Sequence, residues 1–543
     1  MTQKKLLSTL ELITIILLAC VPLFIGQFPY RVNIFLSWEG AYRISQGQVP
    51  FKDFGTPMGG MYWVLPAVFF KIFGPQLISL VKAQVFINII SGLAFRSIMK
   101  SMQVQEGIRF ASVLLFCISY SFFNFWPWYN HTVIVYEFVA LAFLLKYLTA
   151  HDGKYRWTLL VAAALFTFTS FFTKQDAGGM CLLICGALIV YNSIVEKNWK
   201  QLLIYFGSFF LFVCIAVLYF RFYDFGYWFN HGQPPHSARI SAGDIAGDFL
   251  ENSQWLKFYF FLIIFLLLIS FRDLKTLFAD KPEMLFILLT LGILTEAAIF
   301  QVTSYTPPDN NIFYHSFAFA YIFSNLSKRL HLSFKKWSLI ICLVAGVFLW
   351  WSNIFWKYLN RLIPSEKTEG LALSETGENV VNRNNYMLDP DKDTTTIPDS
   401  KWKLSGLKAF ERITMPEPTL EGIQRILALD IVQQGNAKKV LNMTELTPLA
   451  HEMPYQLETG AHYPLWFHLG VGMFNREAEM FKKRIGESYY DLVLFENIPK
   501  LNNFYPFNIR EALQKDYQLV DSFYAPRRGT ETKGIIEVYV RKP

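Results

Sequence analysis

From residue 7 to residue 355, apolar stretches alternate with short polar connections, and after that the alternation stops. Apolar runs of about 17–25 residues are what a helix needs to cross the hydrocarbon core of a bilayer. Runs at 10–28, 77–98, 110–125, 133–148, 159–172, 178–194, 202–219, 256–271, 284–302, 312–326 and 338–355 predict about eleven crossings, a few on the short side. The run at 59–73 is different. It has about 13 apolar residues, with Pro66 inside it and Lys71 near its end, a length that suits an interfacial helix better than a span.

Charge parity supports the same reading. If 59–73 does not cross, Arg96, Lys100, Arg109, Lys154, Arg156, Lys197, Lys200, Arg272, Lys275, Lys281, Lys328, Arg329, Lys335 and Lys336 all fall on the cytoplasmic side. If it crosses, all of them move outside. Lys4 and Lys5 behind the first run put the N-terminus in the cytoplasm. That first run has the charge order of a signal peptide but is long and lacks a small-residue cleavage site, so it is read as an uncleaved helix.

The chain thus divides into a multi-span membrane domain, 1–356, and a segment of ordinary charged and polar content, 357–543. An odd number of crossings places the second part outside. Within it, 420–434, 466–485 and 509–515 read as helical, and 439–443, 491–498, 517–524 and 535–540 as strands, predicting a small α/β domain. The G-V-G-M-F at Gly470 lacks the third glycine and preceding strand of a dinucleotide site.

Composition agrees with this division: 543 residues, 53% hydrophobic and 17% aromatic. The net charge of +8 sits in short loops between spans, which marks orientation and not a nucleic-acid partner. All six cysteines (Cys20, Cys117, Cys181, Cys185, Cys214, Cys342) fall in apolar runs, so no disulfide framework or thiolate metal site is expected in the tail. Neither a cofactor nor a metal is implied.

Ionisable groups at membrane depth are costly and are functional candidates by default. In this topology Lys82, Glu137, Lys174, Asp176, Glu296 and His315 lie towards the outer face, while the cytoplasmic halves carry little beyond loop lysines and arginines. This asymmetry predicts one polar cavity opening outward. The alternative for Glu137 and Glu296 is pairing between helices. In the outer loops, Glu39 and Asp53 (first loop, 29–76) and Arg239 (221–255, with His231 and His236) complete the candidate set. Glu39 and Arg43, at i and i+4, also fit a salt bridge, and Asp53 before Phe54-Gly55 also fits a turn.

The order of these features resembles the integral-membrane GT-C glycosyltransferases, in particular the protein-mannosyltransferase-like and aminoarabinose-transferase-like branch. The residues that carry the resemblance are E-G-A-Y (Glu39 to Tyr42), G-Q-V-P-F-K-D-F (Gly47 to Phe54), Pro57, F-F-K-I-F-G (Phe69 to Gly74), the Thr173-Lys174 turn and the outer loop before His315. The resemblance covers about 10–355. It implies a polyprenyl-phosphate-linked sugar donor, a lipid, glycan or protein acceptor, and inverting transfer on the outer face of the cell membrane. It also implies an acid of the first outer loop (Glu39, with Asp53 second) as general base, and basic groups (Lys174, Arg43, Arg239, His315) around the donor phosphate. Trp38 stands where the family commonly has aspartate.

The chemistry is consistent with this: a hydroxyl nucleophile needs a carboxylate nearby, and a phosphate leaving group needs fixed positive charge. A lipid-sugar transporter would show internal repeats and polar groups at the midplane, and neither is visible. A glycan polymerase or ligase of another multi-span fold would instead carry a large late outer loop.

Overall fold

The computed structural model describes residues 2–31, 34–122, 124–149, 156–223, 225–229, 241–270, 274–304, 312–362, 397, 401–453, 455–499, 505–527 and 534–542. Its first part is helical: α1 (Gln3–Cys20), α2 (Ile34–Ser45), α3 (Met61–Phe73), α4 (Leu77–Ser101), α5 (Glu106–Phe116, continued by a π-turn, Cys117–Ser121), α6 (Tyr129–Thr149), α7 (Arg156–Phe171), α8 (Gln175–Glu196) and α9 (Lys200–Phe220). It continues with α10 (Ala242–Asn252), α11 (Gln254–Ser270), α12 (Leu274–Ala279), α13 (Lys281–Thr303), α14 (Tyr314–Arg329), α15 (Trp337–Trp350) and α16 (Asn353–Leu362).

The protein is a multi-span α-helical membrane protein. Among the described residues six helices are long and apolar enough to cross (α1, α4, α6, α8, α9, α13), and a seventh if α10 and α11, bent by 93°, form one span. The reading of about eleven crossings also needs α5, α7, α14 and α15. These are 11, 16, 16 and 14 residues long, and at about 1.5 Å per residue they fall short of a hydrocarbon core of about 30 Å.

The chain ends of α3 explain its brevity. Before it, Gly55 N–H donates to the Tyr463 carbonyl (2.7 Å), and after it Leu77 N–H donates to Ala409 (2.9 Å). Both partners belong to the C-terminal segment, so α3 leaves and returns on one side of the bundle. It buries Tyr62, Trp63, Ala67 and Phe70 and leaves Val64, Val68, Ile72 and Phe73 exposed, the two-faced pattern of a helix lying at an apolar boundary. Its crossing with α2 is close: a Cβ on Gly40 would sit 2.1 Å from the Trp63 ring.

The C-terminal segment holds α17 (Glu417–Leu427), α18 (Asp430–Gln433), α19 (Leu449–Glu452), α20 (Asn475–Gly486) and α21 (Phe507–Asp516) around a four-stranded sheet. The sheet has β4 (Val440–Met443), β5 (Leu492–Asn497), β6 (Tyr517–Tyr524) and β7 (Ile535–Arg541) in the order β4-β5-β7-β6, with β4 and β5 parallel and the other pairs antiparallel. The helix expected over 466–485 begins only at Asn475. Before it, Gly470 at positive φ and the Leu469–Met473 bridge make a turn.

A second small sheet joins the two parts of the chain. β1 (Phe28–Pro29), directly after α1, pairs in parallel with β3 (Ile413–Met415), which pairs with β2 (Lys403–Leu404). Arg527, 8% exposed, pairs with both the buried Glu445 and Glu496, and the Tyr30 hydroxyl donates to the Glu445 carbonyl. The first loop is therefore built into the C-terminal domain.

Candidate functional site

The acids and bases singled out in the sequence do not form one hydrogen-bonded cluster. The structure distributes them over four places.

The first is the seam between α2 and the C-terminal domain. Glu39, 5% exposed, and Arg43, 1% exposed, are one helical turn apart and paired. Arg43 Nε and one terminal nitrogen both reach Glu39 Oε1 at 2.9 Å. The guanidinium also donates to Gln48 (2.9 Å) and to the Glu458 carbonyl (2.8 Å), and it lies over the rings of Tyr463 (4.6 Å) and Phe54 (5.6 Å). Arg43 therefore has partners within the protein for its Nε and both terminal nitrogens. Glu39 and Arg43 both line a small pocket with Asn442, Thr447 and Tyr455. Burial raises the Glu39 carboxyl above the ordinary range, and the Arg43 charge pulls it partly back. Burial also raises the phenols of Tyr455 and Tyr463, with the Glu39 charge adding to it. Trp38 is fully buried, donates from Nε1 to the Pro75 carbonyl (2.7 Å) and stacks on Tyr42. It packs α2 against the α3–α4 turn.

Asp53 follows on the same loop. Its Oδ2 accepts from Val49 N–H (2.8 Å), and its backbone carbonyl accepts from Gly460 N–H (2.9 Å). That is the turn role, with the carboxylate already engaged.

The second place is formed by the start of α8 and the end of α13. Lys174, just before α8, binds Asp176 (2.9 Å) and Ser304, and its ammonium faces the rings of Phe300 (4.6 Å) and Tyr129 (5.8 Å). Asp176 also accepts from Thr303 (2.9 Å), Ser304 (2.6 Å) and Ala177 N–H (2.8 Å). The turn is fixed by close approach to the first loop. Gly59 N–H donates to Thr173 (3.2 Å), and any Cβ on Gly59 would strike the Phe172 carbonyl. Gln175 donates to the Trp228 carbonyl and, at 3.3 Å, to that of Pro57.

The third place lies deeper. Glu137 on α6 and Glu296 on α13 are both 0% exposed, and their carboxyl groups meet each other. No donor from another described side chain reaches them. Glu296 is two turns below Thr303, on the same face of α13 as the Lys174 cluster. This is the pairing alternative, between two like groups.

The fourth holds His315, at the start of α14. Its Nδ1 is 2.8 Å from the Tyr259 hydroxyl, which accepts from Trp351 Nε1 (2.8 Å). The last turn of α13 separates this place from the second: Phe300, Thr303 and Ser304 face Lys174 and Asp176, while Gln301 faces α10–α11 through Ser253 (2.7 Å). His315 is thus not grouped with Lys174 and Arg43 around one phosphate. Lys82, expected in the cavity, instead lies over the Phe73 ring (4.5 Å) at the end of α3. Arg239, with His231 and His236, falls outside the described residues.

The expected outward asymmetry also fails at the opposite end of the bundle. Glu11 of α1, fully buried, takes Arg96 on Oε2 (2.7 Å) and Arg109 on Oε1 (2.8 Å). Glu283 of α13 binds Lys328 (2.8 Å), Tyr321 (2.9 Å) and Asn325 (3.2 Å). Glu11 lies in the middle of α1 and Glu283 in the first turn of α13, both in apolar context, so hydropathy did not separate them from the spans.

No protein-family model matches the chain, and no curated protein matches it. Among solved structures it is similar to ArnT from Cupriavidus metallidurans. The form bound to undecaprenyl phosphate is 11% identical with a TM-score of 0.48, over 98% of this chain and 97% of that chain. The apo form is 11% identical with a TM-score of 0.49, over 98% and 97%. The chain is also similar to the Archaeoglobus fulgidus oligosaccharyltransferase in complex with zinc and sulfate, 10% identical with a TM-score of 0.43, over 98% of this chain and 73% of that one. At such identities and TM-scores no residue's role is carried over from them.

Proposed function

We propose that this chain is a membrane glycosyltransferase that takes a sugar from a polyprenyl-phosphate carrier and passes it to a hydroxyl acceptor of the cell envelope, on the face of the membrane that carries the C-terminal domain. The observation that weighs most is Glu39. It is a carboxylate buried at the seam of loop and C-terminal domain, held on Oε1 by Arg43 and lining a small pocket with Asn442, Thr447 and Tyr455. A carboxylate whose affinity for a proton is raised by burial is a better base than one in water.

In this reading the acceptor oxygen attacks the anomeric carbon, its proton goes to Glu39 Oε2, and the bond from that carbon to the phosphate oxygen breaks. The electron pair leaves on the polyprenyl phosphate. Lys174 is the cation offered to that phosphate, and the incoming anion competes with Asp176 for it. The exposed apolar face of α3 lies beside the same loop and suits the polyprenyl chain. Asp53 is left as a turn residue, and Arg43 as the group that orients Glu39.

The test is a transfer assay in membranes, with a labelled polyprenyl-phosphate sugar and release of polyprenyl phosphate as the readout. Glu39→Gln is expected to lose about 10²–10⁴-fold in rate, the range for a general base. Full activity in that variant, present at wild-type level, removes Glu39 from the mechanism.

A further inference from the structure

The elbow between α10 and α11 borders a cavity of about 310 Å³, within the range of small-molecule sites. The ends of α13 and α15, the starts of α11, α14 and α16, and the π-turn after α5 all contribute to its wall. Phe122 packs on Phe355, and Phe28 of β1 packs on Phe125 and Trp126, so the cavity lies at the end of the bundle that carries the C-terminal domain.

Its chemistry is distinctive in two respects. Among the described residues that line it there is no Asp, Glu, Lys or Arg. A phosphate or a uronate would find no countercharge among them, which makes its transfer costly. The wall is instead aromatic and amide. Trp255, Trp350 and Trp351 supply ring faces, and Asn252, Gln254, Gln301 and Asn353 supply planar groups that donate and accept together. A pyranose has that same dual character, with C–H faces that lie on aromatic rings and a rim of hydroxyls that pair with amides.

The polar groups are oriented by the fold. The Trp351 indole N–H can only donate, so the Tyr259 oxygen accepts from it and the Tyr259 proton goes to His315 Nδ1. His315 is thereby fixed with its proton on Nε2, the remaining donor of a ring that lines the cavity. Gln301 donates to Ser253, and its own carbonyl oxygen, buried, has no partner among the described residues, an acceptor left over at the wall.

We propose that this cavity is a subsite for a neutral sugar ring. Its place in catalysis, holding the sugar of donor or acceptor, rests on the glycosyltransferase reading above; the binding itself does not. The experiment is ligand-observed saturation-transfer NMR on the full chain in nanodiscs, with the methyl glycosides of glucose, galactose and mannose as probes and glucuronate and inorganic phosphate as comparators. At least one neutral glycoside is expected to give signal and the two anions none.

Trp350→Ala, at a residue 63% exposed whose loss leaves the packing intact, is expected to weaken binding about tenfold or more. His315→Ala is expected to do the same, and His315→Gln, which keeps an N–H donor, to restore most of it. Two results overturn the proposal: no signal from any neutral glycoside, or signal undiminished in both Trp350→Ala and His315→Ala. A second arm separates the sources. Weaker binding of polyprenyl-phosphate sugar, with unchanged binding of polyprenyl phosphate, assigns the site to the donor sugar; no change in either assigns it to the acceptor.

Glu39→Gln keeps the two readings apart, since it is expected to abolish transfer and leave glycoside binding intact. A chain that binds glycosides but transfers no sugar keeps the subsite and loses the enzyme. A chain that transfers sugar but binds none loses only the subsite.

Discussion

Glu39 and Arg43 form an ion pair that is almost completely sealed from solvent, with both contacts at 2.9 Å and both on the same carboxylate oxygen. Arg43 is further held by the Glu458 carbonyl and the Tyr463 ring, so the geometry of the pair depends on the C-terminal domain being docked. A buried pair of this kind adds little net stability, but breaking it leaves an uncompensated charge. In the proposed reaction its value is positional: it fixes the Glu39 carboxylate beside the pocket it lines.

In the proposed reaction the pair sets a pH dependence for transfer. Burial raises Glu39 above the ordinary glutamate range, so the base form is lost, as pH falls, at a higher pH than for an exposed glutamate. The Arg43 charge acts in the opposite direction. Arg43→Gln is therefore expected to move the acid limb of the rate profile further up, and to destabilise the protein by about 3–5 kcal/mol. A limb that stays in place or moves down, measured in membranes on retained protein, counts against Glu39 as the base.

Lys174 is expected to act on the leaving phosphate. Lys174→Gln should lower kcat/KM for the lipid donor by about 10²–10³, the range for losing one charge-stabilising group. Steady-state kinetics at fixed acceptor measure this, and a loss of less than about threefold would assign the lysine to holding the α8 and α13 ends together.

At the other end of the bundle, Glu11 carries two arginines 85 and 98 positions away. Glu11→Gln leaves Arg96 and Arg109 facing each other with no carboxylate, at an expected cost of about 3–5 kcal/mol. Thermal unfolding in detergent reads it, and an unchanged midpoint would show that the arginines find water.

The Glu137–Glu296 pair tolerates one amide. Two buried carboxyl groups in contact share a proton, and Gln replaces the protonated member with little change of shape. Glu137→Gln and Glu296→Gln should therefore unfold close to wild type, while Glu137→Ala with Glu296→Ala should cost about 2–5 kcal/mol through the cavity left. Equal melting of all three would show that the pair does not join α6 to α13.

Cysteine labelling tests the course of α3. With the exposed Cys214 and Cys342 replaced, Gln46→Cys, before α3, and Gln103→Cys, after α4, should react with a membrane-impermeant maleimide from opposite sides. Reaction from the same side would make α3 a span.

Much of this was legible in the chain. Hydropathy marked the long helices, the change in composition marked the C-terminal segment, and the alternation of 491–498, 517–524 and 535–540 marked three strands of its sheet. The i, i+4 spacing of Glu39 and Arg43 announced their pair. β1 was not legible, because a two-residue strand has no periodicity and its partner lies almost four hundred positions away. Glu11 was not legible for a related reason: a lone acid in an apolar run looks like a tolerated exception until its arginines arrive from two other helices.

The grouping of the polar residues was beyond the sequence altogether. Position along a helix says how deep a side chain sits but not which way it faces, and at the end of α13 a single turn sends Ser304 towards Lys174 and Gln301 towards the cavity of His315. By itself, the sequence determined that the chain is a membrane helical bundle with a polar C-terminal domain and an acid-bearing first loop, because those properties are sums over local composition. Which acid meets which base, and where an uncharged Trp- and amide-walled cavity opens, was decided only by the tertiary structure, because each depends on rotations and contacts between segments far apart in the chain.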